Sequence, residues 1–121
     1  MNNKITGLVL CALLFTLSLP AQAQQPTKIP HIGFLASASR SSISDRIEAF
    51  HQGLRELGYI EGKNILIEYR FAEGKLDRLS AFAADLVRIK VDVIVTAGAS
   101  GTAPAKEATT TIPIVMASWY V

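Results

Sequence analysis

Along this chain the spacing of apolar positions changes several times, and each change marks a new element. Residues 31–36 (HIGFLA) form a short, nearly unbroken apolar run, and the following Ser37-Ala38-Ser39-Arg40-Ser41-Ser42 has the composition of a loop. Between 44 and 57 the apolar residues Ile47, Phe50, Leu54 and Leu57 recur at three and four, which predicts a helix. Ser42, Ser44 and Asp45 are candidate N-caps for it, and Gly58 is placed as its stop. Residues 59–64 read as a turn. Residues 65–70 then alternate, with Ile65, Ile67 and Tyr69 on one face and Leu66, Glu68 and Arg70 on the other, the pattern of a strand with one wetter face. Helical spacing returns over 76–89 through Leu79, Phe82, Leu86 and Ile89. Residues 91–97 predict a third strand, 102–108 a short third helix and 112–117 (IPIVMA) a fourth strand.

The order β-α-β-α-β-α-β, with a helix between every pair of strands, argues for an α/β fold with a parallel sheet covered on both faces. Strands one, three and four are almost continuously apolar, as interior parallel strands are, whereas the second alternates as an edge strand can. The expected arrangement is therefore a doubly wound parallel sheet of order 2-1-3-4, the flavodoxin-like order. Its ligand crevice lies at the carboxyl ends of strands one and three.

Residues 1–23 stand apart from this pattern. Lys4 gives a positive start, an apolar run of about 15 residues follows, Pro20 breaks it, and Ala21-Gln22-Ala23 fits the small-x-small rule for a cleaved secretory signal. The run is short against the roughly 20 residues that span a bilayer. Residues 24–30, with two prolines, read as an extended leader to a partial α/β lobe over 31–121. Cys11, the single cysteine, lies inside the apolar run of the secretory signal, so a cleaved chain has neither disulfides nor thiolate metal sites. The formal net charge of +2 falls to +1 without Lys4 and is spread along the chain, with no basic stripe to indicate a nucleic-acid partner.

Chemistry-bearing residues are scarce. Residues 98–101 (GASG) have neither the dinucleotide-binding glycine spacing nor the Gly-Lys-Ser/Thr of a phosphate-binding loop. His31 and His51 have no Ser and Asp partners near in sequence and read as surface or boundary residues, and no metal-ligand spacing occurs. The expectation is a non-enzyme without cofactors. What remains is a pair of small, hydroxyl-rich loops that would meet at the switch point. Each opens a helix whose free N–H groups favour an anion, and Ser100 and Thr102 can donate hydrogen bonds there. Capping of their own helices by the same hydroxyls is the structural alternative. Asp85 and Arg88 form an i,i+3 pair, and Glu48 and Glu56 bracket Arg55, pairs that contribute only tenths of a kcal/mol when exposed.

The stretches "IGFLASAS", "GLRELGYIEGKNI", "VDVIVTAG" and "AKEATTTIPIV" together resemble the N-terminal lobe of the ABC transporter substrate-binding proteins that include the tryptophan/tyrosine-type periplasmic members. The resemblance spans residues 32–117. It implies a type I periplasmic-binding fold, two lobes closing on a small organic solute, and a periplasmic component of an ABC importer that works with a membrane permease. Carried onto this chain, the solute positions are Ser37, Ala38 and Ser39 after strand one, Ala99, Ser100 and Gly101 after strand three, and Ala117 and Ser118 after strand four. A small organic anion or an amino acid is the implied ligand. Where the family has a polar, acidic-containing stretch after the fourth strand, this sequence has Ser118-Trp119-Tyr120-Val121. The chain therefore reads as a truncated lobe with impaired binding. The rivals from other classes are a small secreted α/β enzyme or accessory domain and a non-functional gene remnant.

Overall fold

The computed structural model describes residues 28–118. The expected secretory signal with its expected cleavage after Ala23, Cys11, and the last three residues, Trp119 among them, lie outside them. Four strands, β1 (His31–Ala36), β2 (Leu66–Phe71), β3 (Val93–Ala97) and β4 (Ile114–Ala117), form one parallel sheet in the order β2-β1-β3-β4. Three helices connect them: α1 (Ser44–Glu56), entered through a 3-10 turn at Ser41–Ile43, α2 (Arg78–Arg88) and α3 (Thr102–Ala108). The parallel sense is the one that a helix between every pair of strands predicts, and the order is the one that the alternation of the second strand predicts.

Side chains alternate across this sheet into two cores. On one face Ile32, Phe34, Ala36, Ile65 and Val95 pack with Ile43 and Ile47 of the first connection; on the other, Leu35, Ile94 and Val91 pack with Leu79, Ala83 and Leu86 of α2 and Ala105 of α3. One crossover therefore covers one face and two cover the other, which makes the gap between β1 and β3 the switch point. Gly33 permits the second packing: a Cβ there would lie 2.9 Å from Leu86 Cδ1, so the close approach of α2 to β1 depends on its absence.

Element ends differ from the sequence expectation for local reasons. β3 begins at Val93 rather than Val91 because Asp92 turns to hold the start of β1, accepting from the His31 backbone N–H at 2.8 Å and from Lys28 at 2.9 Å. Pro113 delays β4 to Ile114. The N-cap of α1 is Ile43 with no side-chain cap; Ser42, Ser44 and Asp45 do not cap it, since the 3-10 turn supplies the lead-in. Gly58 does close α1: its N–H donates to Arg55 O at 2.9 Å and the Tyr59 N–H to Leu54 O at 2.8 Å, the paired bonds of a Schellman motif. α2 closes in the same way with Lys90 at φ 60 and Val91 bonded to Leu86 O.

Candidate functional site

The carboxyl ends of all four strands finish on one line, because Ala36 pairs with Phe71 on one side and Ala97 on the other, and Ala97 pairs with Ala117. Adjacent strands lie about 4.8 Å apart. Ser37, Gly98 and Ser118 therefore leave the sheet side by side, and the sequence-derived positions 37–39, 99–101 and 117–118 occupy one end of the molecule. Gly98 adopts φ +92, in the left-handed region, and donates its N–H to Ala117 O at 3.1 Å, which ties the third loop to the fourth strand. Gly101 is different: its φ of −83 and a nearest Cβ neighbour at 3.5 Å show that this position does not require glycine.

Local bonds decide which hydroxyls remain available at this end. Ser39 Oγ accepts from the Ser42 N–H at 3.3 Å and lies 3.2 Å from Ser41 Oγ, while Ser42 Oγ donates to Ser39 O at 2.9 Å. The Ser39 hydroxyl thus organises its own turn. Thr102 Oγ1 points back to buried Thr96 Oγ1 at 3.2 Å rather than outward. Ser37 is half-buried and Ser100 exposed, and the hydroxyls of both are without partners among the described residues. The Ser37 and Ser100 hydroxyls are thus free to meet a ligand, whereas those of Ser39 and Thr102 are engaged within the chain. α3 is only seven residues long and starts without a side-chain cap, so its dipole contributes less than a full helix would.

Periodicity did not reveal two further features at this end. The loop after β2 folds onto the loop after β1, with the Gly74 N–H donating to Ser37 O at 2.8 Å and the Ala72 N–H to Ala36 O at 2.9 Å. Arg40 lies over the β2 aromatics, its Cζ 4.8 Å from the Tyr69 ring centroid and 5.8 Å from that of Phe71. Beneath it, Tyr69 donates to Glu61 at 3.0 Å, and His51 Nε2 stands 2.6 Å from the phenol oxygen and 3.0 Å from the Glu61 carboxylate. Burial, reinforced by the hydrogen bond to Glu61, pushes the Tyr69 phenol well above its ordinary range, so it stays a neutral donor. His51 is thus a boundary residue that bonds α1 to β2, and His31, 3.3 Å from Glu68, is another. No group of three metal-ligating side chains occurs among the described residues.

Residues 31–120 match the family model described as ABC transporter substrate binding protein. The chain belongs to that family. Solved structures carry the same fold. An ABC domain from Streptococcus pneumonia, in complex with L-Trp, superposes with a TM-score of 0.69 at 24% identity over 75% of this chain and 30% of that one. A conserved domain protein from Vibrio cholerae gives 0.68 at 27% identity, over 74% and 30%. A substrate binding protein with adhesive properties from Clostridium difficile, in a ligand-free, open structure, gives 0.67 at 23% identity, over 73% and 30%. The chain thus spans about 30% of the length of each of these structures. A search of curated proteins finds no match. Among the described residues no helix is long and apolar enough to cross a membrane.

Proposed function

We propose that this chain forms the N-terminal lobe of the solute-binding component of an ABC importer, a non-enzymatic protein exported by its leader to the periplasm. There it would deliver a small organic anion or an amino acid to a membrane permease. The observation that carries the reading is the row of loops at the β1/β3 switch point, in a chain of substrate-binding family. The Ser37 and Ser100 hydroxyls, unpartnered among the described residues, lie on the loops that follow the paired ends of β1 and β3. Solute would rest against Ser37, Ala38, Ser39, Ala99, Ser100, Gly101, Ala117 and Ser118. Ser39 and Gly101 would act through their backbone and Ala38 through its methyl group. A single lobe supplies one wall of a cleft and leaves bound solute facing water, so affinity for the isolated chain is expected to be weak.

The test is thermal denaturation of the exported chain against a panel of amino acids, other carboxylates and phosphorylated compounds. A ligand at a hundred times its dissociation constant adds about 2.7 kcal/mol to stability. Stabilisation by a member of the panel, lost in a Ser37→Val, Ser100→Val double variant, is the expected result; no stabilisation by any of them removes the reading. N-terminal sequencing of the exported protein checks the processing site, with Gln24 the expected first residue.

A further inference from the structure

We propose that Arg40 is the anion-selecting residue of this crevice, its guanidinium set on the Tyr69 and Phe71 rings so as to take the carboxylate of the solute. The inference rests on the solute-binding reading and adds to it the residue that sets the sign of the ligand. Arg40 directly follows Ser39, at the β2 side of the loop after β1. The rings beneath it are held firmly: Tyr69 and Phe71 stack with centroids 5.9 Å apart at 7°, and Phe34, fully buried, packs under both at 5.6 and 6.2 Å. Cation–π attraction fixes a guanidinium without using its N–H donors.

Those donors are free. Arg55 is paired with Glu48 at 2.8 Å, Arg70 with Asp85 at 2.7 Å, and Arg88 with Asp85 as well. Among the described residues Arg40, though exposed, has neither a carboxylate nor a hydrogen-bond partner. The eight solute positions given above are all uncharged, so the nearest charges determine which ligand charge is welcome. The loop that the Gly74 N–H joins to Ser37 O carries Glu73 and Lys75, and Glu61 accepts from the phenol of the ring beneath Arg40. Glu73 has the opposite sign and a left-handed φ of 55. The two residues provide a sign test that a packing role for Arg40 would not pass: neutralising Arg40 weakens binding of an anionic group, whereas neutralising Glu73 strengthens it.

The experiment titrates the full chain, labelled with nitrogen-15, with L-tryptophan and with tryptamine, which share ring and ammonium and differ in the carboxylate. Amide shifts at 37–40 and 98–101 are the readout. We expect L-tryptophan to bind about tenfold more tightly than tryptamine. Arg40→Gln should bring the two within about twofold, and Arg40→Lys should keep part of the preference because charge remains without the fork geometry. Glu73→Gln should tighten L-tryptophan alone. A preference that persists in Arg40→Gln overturns the assignment, and so does an equal loss of both compounds, which marks a structural role. If crevice amides respond to a panel compound lacking an anionic group but not to L-tryptophan, solute binding stands and the role of Arg40 falls. If no compound moves them, both readings fall together.

Discussion

At the β2 edge of the sheet Glu68, Tyr69 and Arg70 are polar and paired, with Leu66 the exposed apolar residue at the start of the strand, whereas at the β4 edge the chain carries no charge at all from Ala108 to Ser118. On β2, Glu68 meets His31, Arg70 joins Asp85 of α2, and Tyr69 is tied through its hydroxyl to Glu61 and His51. On β4, Val115 and Met116 are 52% and 50% exposed. Beside them Phe50, Gly53, Leu54 and Leu57 of the α1 region line an apolar groove that ends at Ala117. An exposed sheet edge is a template for further pairing unless charge, a bulge or a cover blunts it. The β2 edge has such protection built from its own side chains. Among the described residues the β4 edge has none, in a chain that spans about 30% of the length of structures sharing its fold.

The sharpest way to break the comparison is to truncate one apolar residue near each edge. Phe34 is fully buried and packs against Phe50, Tyr69 and Phe71, so Phe34→Ala should cost about 3–5 kcal/mol in denaturant unfolding. Val115→Ala, at a half-exposed site, should cost under about 1 kcal/mol. Equal losses would mean that β4 is as well packed as the aromatic cluster that Phe34 of β1 forms with Tyr69 and Phe71 of β2.

A smaller effect isolates the polar tie of the β2 edge. Tyr69→Phe keeps the ring stack and removes the hydroxyl between His51 and Glu61, with an expected cost of about 1 kcal/mol. His51 remains 3.0 Å from the Glu61 carboxylate in that variant, which limits the loss. A stability unchanged by this substitution would show that stacking alone holds the edge.

Acid should destabilise the chain through the carboxylates that its cations hold. Hydrogen bonds from Arg70, then Arg88, hold the Asp85 carboxyl below its ordinary 3.8. A carboxyl lowered on folding contributes stability that is complete above its unfolded value and is lost as pH falls through the folded one. Unfolding measured from neutral pH down through the carboxylate range should therefore steepen below about pH 4, and Asp85→Asn should flatten that part of the profile. Asp92, lowered by Lys28 and by the His31 backbone, adds a second component of the same sign.

Much of this architecture was legible because period and composition speak directly about burial. The alternation of residues 65–70 placed β2 at the edge, and the strand order that follows from it puts the β1/β3 switch point beside the small-residue run after Ala97. What escaped were contacts between residues distant in sequence. Asp85 was readable as the helical partner of Arg88, but its bond to Arg70 depends on α2 lying across β2. Arg40 belonged to a loop composition, and only the register that sets Phe71 beside Ala36 brings it onto the aromatic pair. Caps failed for a related reason: the 3-10 turn at Ser41–Ile43 shifts the start of α1 past the serines that local rules favour.

The β4 edge offers the smallest change in stability and the clearest change in behaviour. Val115→Lys places a charge on the face shared with α1, and Met116→Lys does so on the opposite face; both sites are half-exposed and should shift unfolding by no more than about 0.5 kcal/mol. Their effect should appear instead in sedimentation at rising concentration, where a lysine on an open edge opposes strand-to-strand pairing. If the unaltered chain associates and both lysine variants stay monomeric, the uncharged edge is the cause, and adding a lysine at β2, for example Ile67→Lys, should give no such protection. Association that persists in both variants would move the cause away from β4 to the groove beside α1, where Leu57, 76% exposed, is the residue to replace next.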